Sequence, residues 1–333
     1  MSVLKSAAAA PLLIALVWGG SSIARAPDAP RLGLPIACIP GQTCEIQNYV
    51  DRDPSPAARD YLCRSRTYER HTGLDIRLPD MAAQRRGVAV LAAADGRVLR
   101  LRDGEPDQSV HERGGQAVQG QECGNGVVIA HAGGLSTQYC HLAKGSLSVA
   151  PGQQVTAGTP IGKVGLSGNT EYPHLHFTVR QGDQVVDPFA PEPGRDGRCG
   201  SGGDLWTPQA RAALAYKDRA VLNAGFTSGA TSMTAIEAGD LPRAGPNAAA
   251  LVVYVRAIGL KAGDRQILEL RGPSGQVLAA ARPEPTPRDQ AQRMLFVGKP
   301  RPATGWPSGR YSATYKVMQG ESVVLERGLA LTL

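Results

Sequence analysis

Two imidazoles flank a single leucine in the stretch EYPHLHF, residues 171–177, of a 333-residue chain that holds only six histidines. In a strand, side chains at i and i+2 share a face. His174 and His176 would therefore project side by side, with Leu175 directed into a core and Pro173 suited to the strand's first position. Upstream, RHTGLDI places His71 and Asp75 four residues apart. A helix would put them on one face, but Gly73 and the Leu-Asp-Ile alternation favour a turn entering a strand. In QYCHL, Tyr139 and His141 share one strand parity and Cys140 has the other. That parity predicts a structural Cys140 pointing away from a functional His141. Hydrolytic zinc sites typically use three protein ligands and leave one position open, and the water there reaches a pKa of about 7. Two histidines with Asp75 would fill such a ligand set. Two more histidines would remain for proton transfer and for stabilising a developing oxyanion. The set suits a metallohydrolase without saying which member does which job.

The other polar residues near these motifs have plainer readings. His111 lies in a polar insertion and reads as a surface side chain. His131, at a strand end, reads as a structural hydrogen-bonding group. Asn125 stands between two glycines and reads as a turn residue. Arg180 shares strand parity with His174 and His176 and could meet a substrate carboxylate, although a solvated strand end is the simpler reading.

The elements that must position these residues are mainly β. Gly and Pro are plentiful at 40 and 25 residues, and long apolar helical patterns are few. GVAVLAAADGRVLRLRDG reads as a hairpin about Asp95-Gly96. GNGVVIAHAGGLSTQYCHL reads as a second hairpin with Gly133-Gly134 at its tip, and HLHFTVRQGDQVVDP as a third about Gly182-Asp183. Residues 103–122 form a polar insertion between the first two. Residues 1–26 carry Lys5, an apolar run and Ala24-Arg25-Ala26, the pattern of a cleaved export signal too short to span a bilayer. Without Lys5 and Arg25 the formal charge falls from +7 to +5. That suits an anionic wall or membrane surface. Nucleic acid is disfavoured, because the basic residues are scattered with no aromatic interleaving. No membrane span is expected once the signal is removed.

Six cysteines and no C-x-x-C pair point to disulfides rather than a zinc finger. Of fifteen possible pairings, spacing favours Cys38–Cys44 around a small loop, Cys123–Cys140 across a hairpin, and Cys63–Cys199 stapling the ends of the central domain. The chain divides into an N-terminal disulfide-containing segment (27–66), a central domain (67–190), a linker with a short helix (191–246) and a C-terminal antiparallel β-sandwich of immunoglobulin-like type (247–333).

Taken in order, HTGLD, AAADGRV, GNGVVIAHAGGLSTQYCHL and VAPGQQVTAGTPIGKVGLSGNTEYPHLHF resemble the lysostaphin/LytM-type zinc peptidases of family M23, from about Tyr68 to Pro188. The resemblance implies an antiparallel sheet with a groove, one Zn2+ per chain, and cleavage of the peptide stems that cross-link peptidoglycan. It implies His71, Asp75 and His176 as metal ligands, and His141 and His174 as the pair handling the attacking water and the tetrahedral intermediate. Signal and disulfides suggest a periplasmic or secreted protein of a Gram-negative cell. Some proteins resembling this family have lost zinc residues and act as regulators that activate cell-wall amidases; here every motif residue is present. Others are latent, with an upstream polar side chain in the open metal position. Asn48 and Asp51 would be the candidates for that role.

Overall fold

The structure, a computed structural model, describes residues 29–194 and 199–333. The export signal expected over residues 1–26 lies outside the described residues. The chain is mainly β and its sheets are antiparallel. The first body contains strands β1 (Glu45–Asn48), β2 (Leu74–Arg77), β3 (Ala89–Leu91), β4 (Gly96–Arg102), β5 (Asn125–Ala130), β6 (Leu135–Leu142), β7 (Gln154–Val155), β8 (Pro160–Lys163), β9 (His174–Gln181) and β10 (Gln184–Val186). Eight of them make one sheet in the order β1-β2-β9-β6-β5-β4-β7, with β10 beside β9.

The sheet has one apolar and one polar face, as period-two alternation requires. Leu74, Ile76, Leu175, Phe177, Val179, Tyr139, Val127, Ile129 and Val98 all point to the apolar side and are essentially inaccessible. They pack with Leu32, Ile36, Phe189 and Trp206 in one core. The N-terminal segment is built into this body: Leu32 N donates to Leu205 O at 2.7 Å, and β1 forms the sheet's edge.

The hairpins expected about Gly133-Gly134 and Gly182-Asp183 are present as β5–β6 and β9–β10. The one expected about Asp95-Gly96 is not. β3 pairs with β8, and β4 pairs with β5 and β7. The Asp-Gly pair does different work: Asp95 O faces His131 Nδ1 at 2.8 Å, and Asp95 Oδ1 accepts from Ala157 N at 2.7 Å. A Cβ on Gly96 would come 2.3 Å from Ala130 O, so glycine is required by the approach of β5. His131, whose other nitrogen meets Thr137 Oγ1 at 2.8 Å, is a structural histidine. Asn125 is wholly buried; it donates to Glu105 O and Leu142 O and accepts from Glu105 N, tying down the start of the insertion.

A short pair, β11 (Glu192–Pro193) and β12 (Gly200–Ser201), leads out of this body. Residues 191–246 hold more than the expected linker and helix, because β13 (Ala220–Thr227) pairs with β14 (Ala250–Leu260). With β17 (Gln290–Pro300) these make a three-stranded sheet. The strands β15 (Arg265–Arg271), β16 (Val277–Ala281), β18 (Arg310–Gln319) and β19 (Ser322–Thr332) make a four-stranded one. A core of Leu251, Val253, Val255, Leu268, Leu270, Tyr311, Tyr315 and Val317 lies between them.

Cys38–Cys44, Cys63–Cys199 and Cys123–Cys140 are bonded, the pairing that spacing favoured. Such cross-links typically contribute about 2–4 kcal/mol each. Polar contacts join the two bodies. Glu237 accepts from Arg77 at 2.6 Å and also from Arg256, while Asn223 Nδ2 donates to Pro79 O at 2.9 Å.

Asp187, just after β10, is fully buried. One of its oxygens accepts from Phe189 N at 2.9 Å, and the other has no partner among the described residues. Burial pushes its carboxyl up to about 7, against the opposing pull of that N–H and of Arg52. In the unfolded chain the group has its ordinary pKa near 4, so between about pH 4 and 7 only the unfolded state is ionised. The stability this group contributes is full at low pH and lost as pH rises through that window. Urea midpoints of the wild type and Asp187→Asn at pH 4.5 and 8 should therefore diverge, with the variant gaining on the wild type at the higher pH. A difference that does not change with pH would contradict this account.

Candidate metal centre

The polar face of the sheet carries the chemistry. Asp75 on β2 stands opposite His176 on β9, and Arg77 stands opposite His174. From β1, Asn48 stands opposite Asp75. The i, i+2 parity of β9 thus presents both imidazoles on the polar face, as expected, with Leu175 and Phe177 behind. His71 arrives from the turn before β2. That turn is organised by Asp51, whose carboxylate accepts from the backbone N–H of Asp53, Arg59 and Arg70.

Three donor atoms converge. Asp75 Oδ1 lies 3.1 Å from His71 Nε2 and 2.8 Å from His176 Nδ1, and the two imidazole nitrogens are 3.2 Å apart. Ligands held about 2.1 Å from a tetrahedral centre sit about 3.4 Å from one another. The set is thus within a few tenths of an ångström of a metal-binding spacing, and two nitrogens with one carboxylate oxygen is a donor set zinc accepts. The remaining nitrogens have acceptors. His71 Nδ1 faces Tyr49 O at 2.6 Å, and His176 Nε2 faces Thr178 Oγ1 at 3.1 Å. With a cation in place, donating there would leave the inner nitrogens with lone pairs for it, the arrangement that orients metal-binding histidines. Although burial alone would raise the Asp75 carboxyl, the imidazoles of His71 and His174 and the hydrogen bonds of His174 and His176 hold it well below the usual range.

His141 and His174 stand beside this trio, with ring centroids 4.6 Å apart. His141 Nδ1 faces Ser167 O at 2.8 Å. Burial, reinforced by the neighbouring His174 and His176, holds the His141 imidazole well below its ordinary pKa, so it is neutral with a lone pair on Nε2. His174 Nδ1 faces Tyr172 O at 3.0 Å and Thr170 Oγ1 at 3.1 Å, while its Nε2 lies 3.4 Å from Asp75 Oδ1. His141, His174 and His176 form a second group of metal-capable spacing. It lacks the carboxylate that would offset a dication's charge.

The parity argument for QYCHL fails at one residue. His141 has φ of 62° in the left-handed region, and the register between β5 and β6 slips by one residue there. The bulge turns His141 out of the core row that holds Tyr139 and onto the polar face. Cys140 stands opposite His176 and faces the site, contrary to expectation. The Cys123–Cys140 disulfide is part of the cavity lining beside the centre. His141 N donates to Cys123 O at 2.8 Å, so the disulfide-bonded segment also holds the bulge.

The upstream segment is not a removable cover. Asn48 Nδ2 donates to Asp75 Oδ2 at 2.9 Å from within the edge strand, and Asp51 is occupied with the turn. Sequence reasoning missed the three carbonyls of Tyr49, Ser167 and Tyr172, for which no side-chain signal exists. It also missed Tyr68, exposed at the rim with its ring 4.5 Å from that of His71. An aromatic three residues before a candidate ligand was a signal available for it.

An antiparallel sheet bearing a His/Asp cluster able to hold a metal defines a class, and the comparisons give it a name. Residues 69–188 match the profile of Peptidase family M23, and this part of the chain is a domain of that family. The cell division protein DipM of Caulobacter vibrioides is 34% identical over 125 residues, covering 38% of this chain and 17% of that protein. The DD-carboxypeptidase/endopeptidase Mpg of Neisseria meningitidis serogroup B is 36% identical over 124 residues, covering 37% of this chain and 23% of that protein. The chain thus spans less than a quarter of either curated relative. A crystal structure of a zinc-containing peptidase from Vibrio cholerae shares 26% identity, with a TM-score of 0.28, covering 42% of this chain and 38% of that one.

Gly73 leaves the room that His176 needs: a Cβ there would stand 2.6 Å from His176 Nε2 and 2.9 Å from Phe177 O. Gly73→Ala should weaken zinc binding by about 10–100-fold, the range for disturbed support of a metal ligand, in titration against a chelator. Unchanged affinity would show that the centre tolerates the shift.

Proposed function

We propose that the chain is an exported, zinc-dependent endopeptidase that hydrolyses the peptide cross-links of peptidoglycan. The observation that carries this reading is the convergence of His71 Nε2, Asp75 Oδ1 and His176 Nδ1 within 2.8–3.2 Å, with His141 and His174 alongside. One zinc held by those three residues would supply Lewis-acid activation of water and of the scissile carbonyl.

The chain's own residues supply the rest. His141, neutral and fixed by Ser167 O, offers Nε2 to take a proton from the attacking water. His174, its Nδ1 facing Tyr172 O, turns its Nε2 toward the centre, where an N–H would donate to the developing oxyanion. The Cys123–Cys140 disulfide and the tight turns around Ser167 keep the base in place without an adaptable loop. Three disulfides suit an oxidising compartment such as the periplasm or the exterior. No helix among the described residues is long and apolar enough to cross a membrane.

Metal content and hydrolysis measured on the same preparations separate the roles. His176→Ala should lose zinc and activity together. His141→Ala and His174→Ala should keep zinc and lose about 10²–10⁴-fold in turnover, the range for acid–base and oxyanion groups. Loss of zinc from His141→Ala with retention by His176→Ala would reverse the assignment. For the whole reading, purified sacculi should release soluble fragments with newly freed peptide termini, identified by mass, and a chelator should stop the release. A wild-type protein that holds no zinc, leaves sacculi intact and stimulates an amidase would instead be a regulator of wall hydrolysis.

A further inference from the structure

The polar face of the main sheet continues well past the metal centre. The pairing of β4, β5, β6 and β9 lays out two rows of side chains across the strands. One has Arg102 opposite Gly126 and Cys140 opposite His176, on either side of the β5–β6 bulge. The other runs Arg100, Val128, Gln138, Thr178. Two adjoining cavities of about 340 Å³ each lie over these rows and share Glu122, Cys123 and Gln138. The first reaches from His71, His141 and His176 to Arg180, and the second ends at Arg100 and Arg102. On the other side of the centre, a third cavity of about 400 Å³ lies between Tyr172, Asn48 and Gln292. Together they form one groove crossing the sheet.

The two ends of the groove differ in charge. Arg100 and Arg102 line the second cavity from β4 and have no carboxylate within ion-pair distance among the described residues, while Arg180 stands apart from them on β9, with a contact of 3.3 Å to Asp183 O. Arg102 spends its Nε on Gly124 O at 2.6 Å and keeps its terminal nitrogens. Glu122 is the acidic side chain lining both of these cavities, and its Oε1 accepts from Gly120 N at 2.8 Å. At the opposite end the guanidinium of Arg77 is fully buried and paired with Glu237 at 2.6 Å, while Glu171 lines the wall. Free cationic groups therefore stand on one side of the centre only.

We infer that the Arg100–Arg102 end of the groove is a subsite for a free carboxylate of the substrate, and that it sets the direction in which a peptide lies across the centre. This rests on the peptidase reading above. Three strand spacings of about 4.8 Å separate the β4 row from His176, about 14 Å in all, and an extended peptide covers that in about four residues. The ligand is thus a peptide bearing a carboxylate, on a side chain or at a terminus, about four residues from the bond over the metal centre. Guanidinium groups suit this task because their planar donor pairs match a carboxylate.

The test uses the full chain and two synthetic cross-linked stem peptides that differ only in having free carboxylates or carboxamides. Binding is measured on the metal-free protein by fluorescence anisotropy. At low salt the wild type should bind the carboxylate form about tenfold more tightly, within the range for hydrogen bonds to charged groups, and added salt should erode the preference. Arg100→Gln and Arg102→Gln should each reduce the preference, and the double variant should abolish it, with far-ultraviolet circular dichroism unchanged. Equal affinities in the wild type, no binding of either peptide, or a preference that survives in the double variant would overturn the inference. In the zinc-loaded protein the same variants should raise KM for the carboxylate peptide and leave kcat within about twofold. A wild type that prefers the carboxylate peptide but cleaves neither would sink the peptidase reading alone. One that cleaves both with equal KM would sink this subsite alone.

Discussion

The centre depends on a single cross-strand pairing, Asp75 on β2 opposite His176 on β9. A shift of one residue in this register would send Asp75 into the apolar layer and bring Leu74 or Ile76 to the polar face. The register is fixed by what lies behind it. Leu74, Ile76, Leu175 and Phe177 are all essentially inaccessible, and each buried side chain of that size is worth about 1.5–3 kcal/mol. The carboxylate itself is a cost to the fold, since burial disfavours its charge. Three surrounding imidazoles and the amide of Asn48 offset that cost. The hydrophobic layer thus holds the residues at a spacing their own electrostatics would not select without a cation among them.

The second half of the site rests on a departure from regular structure. A left-handed, non-glycine residue in a strand is uncommon and is sustained only when its surroundings determine it. At His141 they do: Cys123 O accepts from its N–H, Ser167 O faces its Nδ1, and the disulfide fastens Cys123 to the neighbouring Cys140. The close approach continues outward, where a Cβ on Gly168 would stand 2.4 Å from Glu122 O. His141 is therefore mounted on a bulge clamped from two sides.

What was legible in the sequence follows from the range of the interactions involved. The shared face of His174 and His176 is a period-two consequence and needs nothing beyond the strand. The turn at Gly73 carrying His71 toward Asp75 is likewise local. The orientation of Cys140 was misread because alternation was carried through a bulge that only the register with β5 and the contacts to Cys123 reveal. The supposed Asp95-Gly96 hairpin was misread for a related reason. An Asp-Gly turn signal reports local backbone preference, whereas β3 and β4 find partners more than twenty residues away in β8 and β5. The carbonyls that orient three of the four imidazoles are backbone atoms, so no residue type announces them.

The second body was the least legible part, and its contribution is geometric. Glu237 lies between two buried guanidiniums, Arg77 of the main sheet and Arg256 of β14, and Arg77 also reaches Gln47 and Gln292. Desolvating such groups consumes most of what their attraction returns, so a cluster of this kind adds little net stability, although removing one member alone is costly. Its effect here is on orientation. Arg77 stands opposite His174 in the β2–β9 register and packs 3.7 Å from the ring of Tyr172, the residue whose carbonyl faces His174. Gln47 Nε2 donates to Ala291 O at 3.2 Å, and Ala291 and Gln292 line the groove beside them. A mobile appendage would leave that wall undefined, whereas the directional contacts of one guanidinium fix the wall and the support of His174 together.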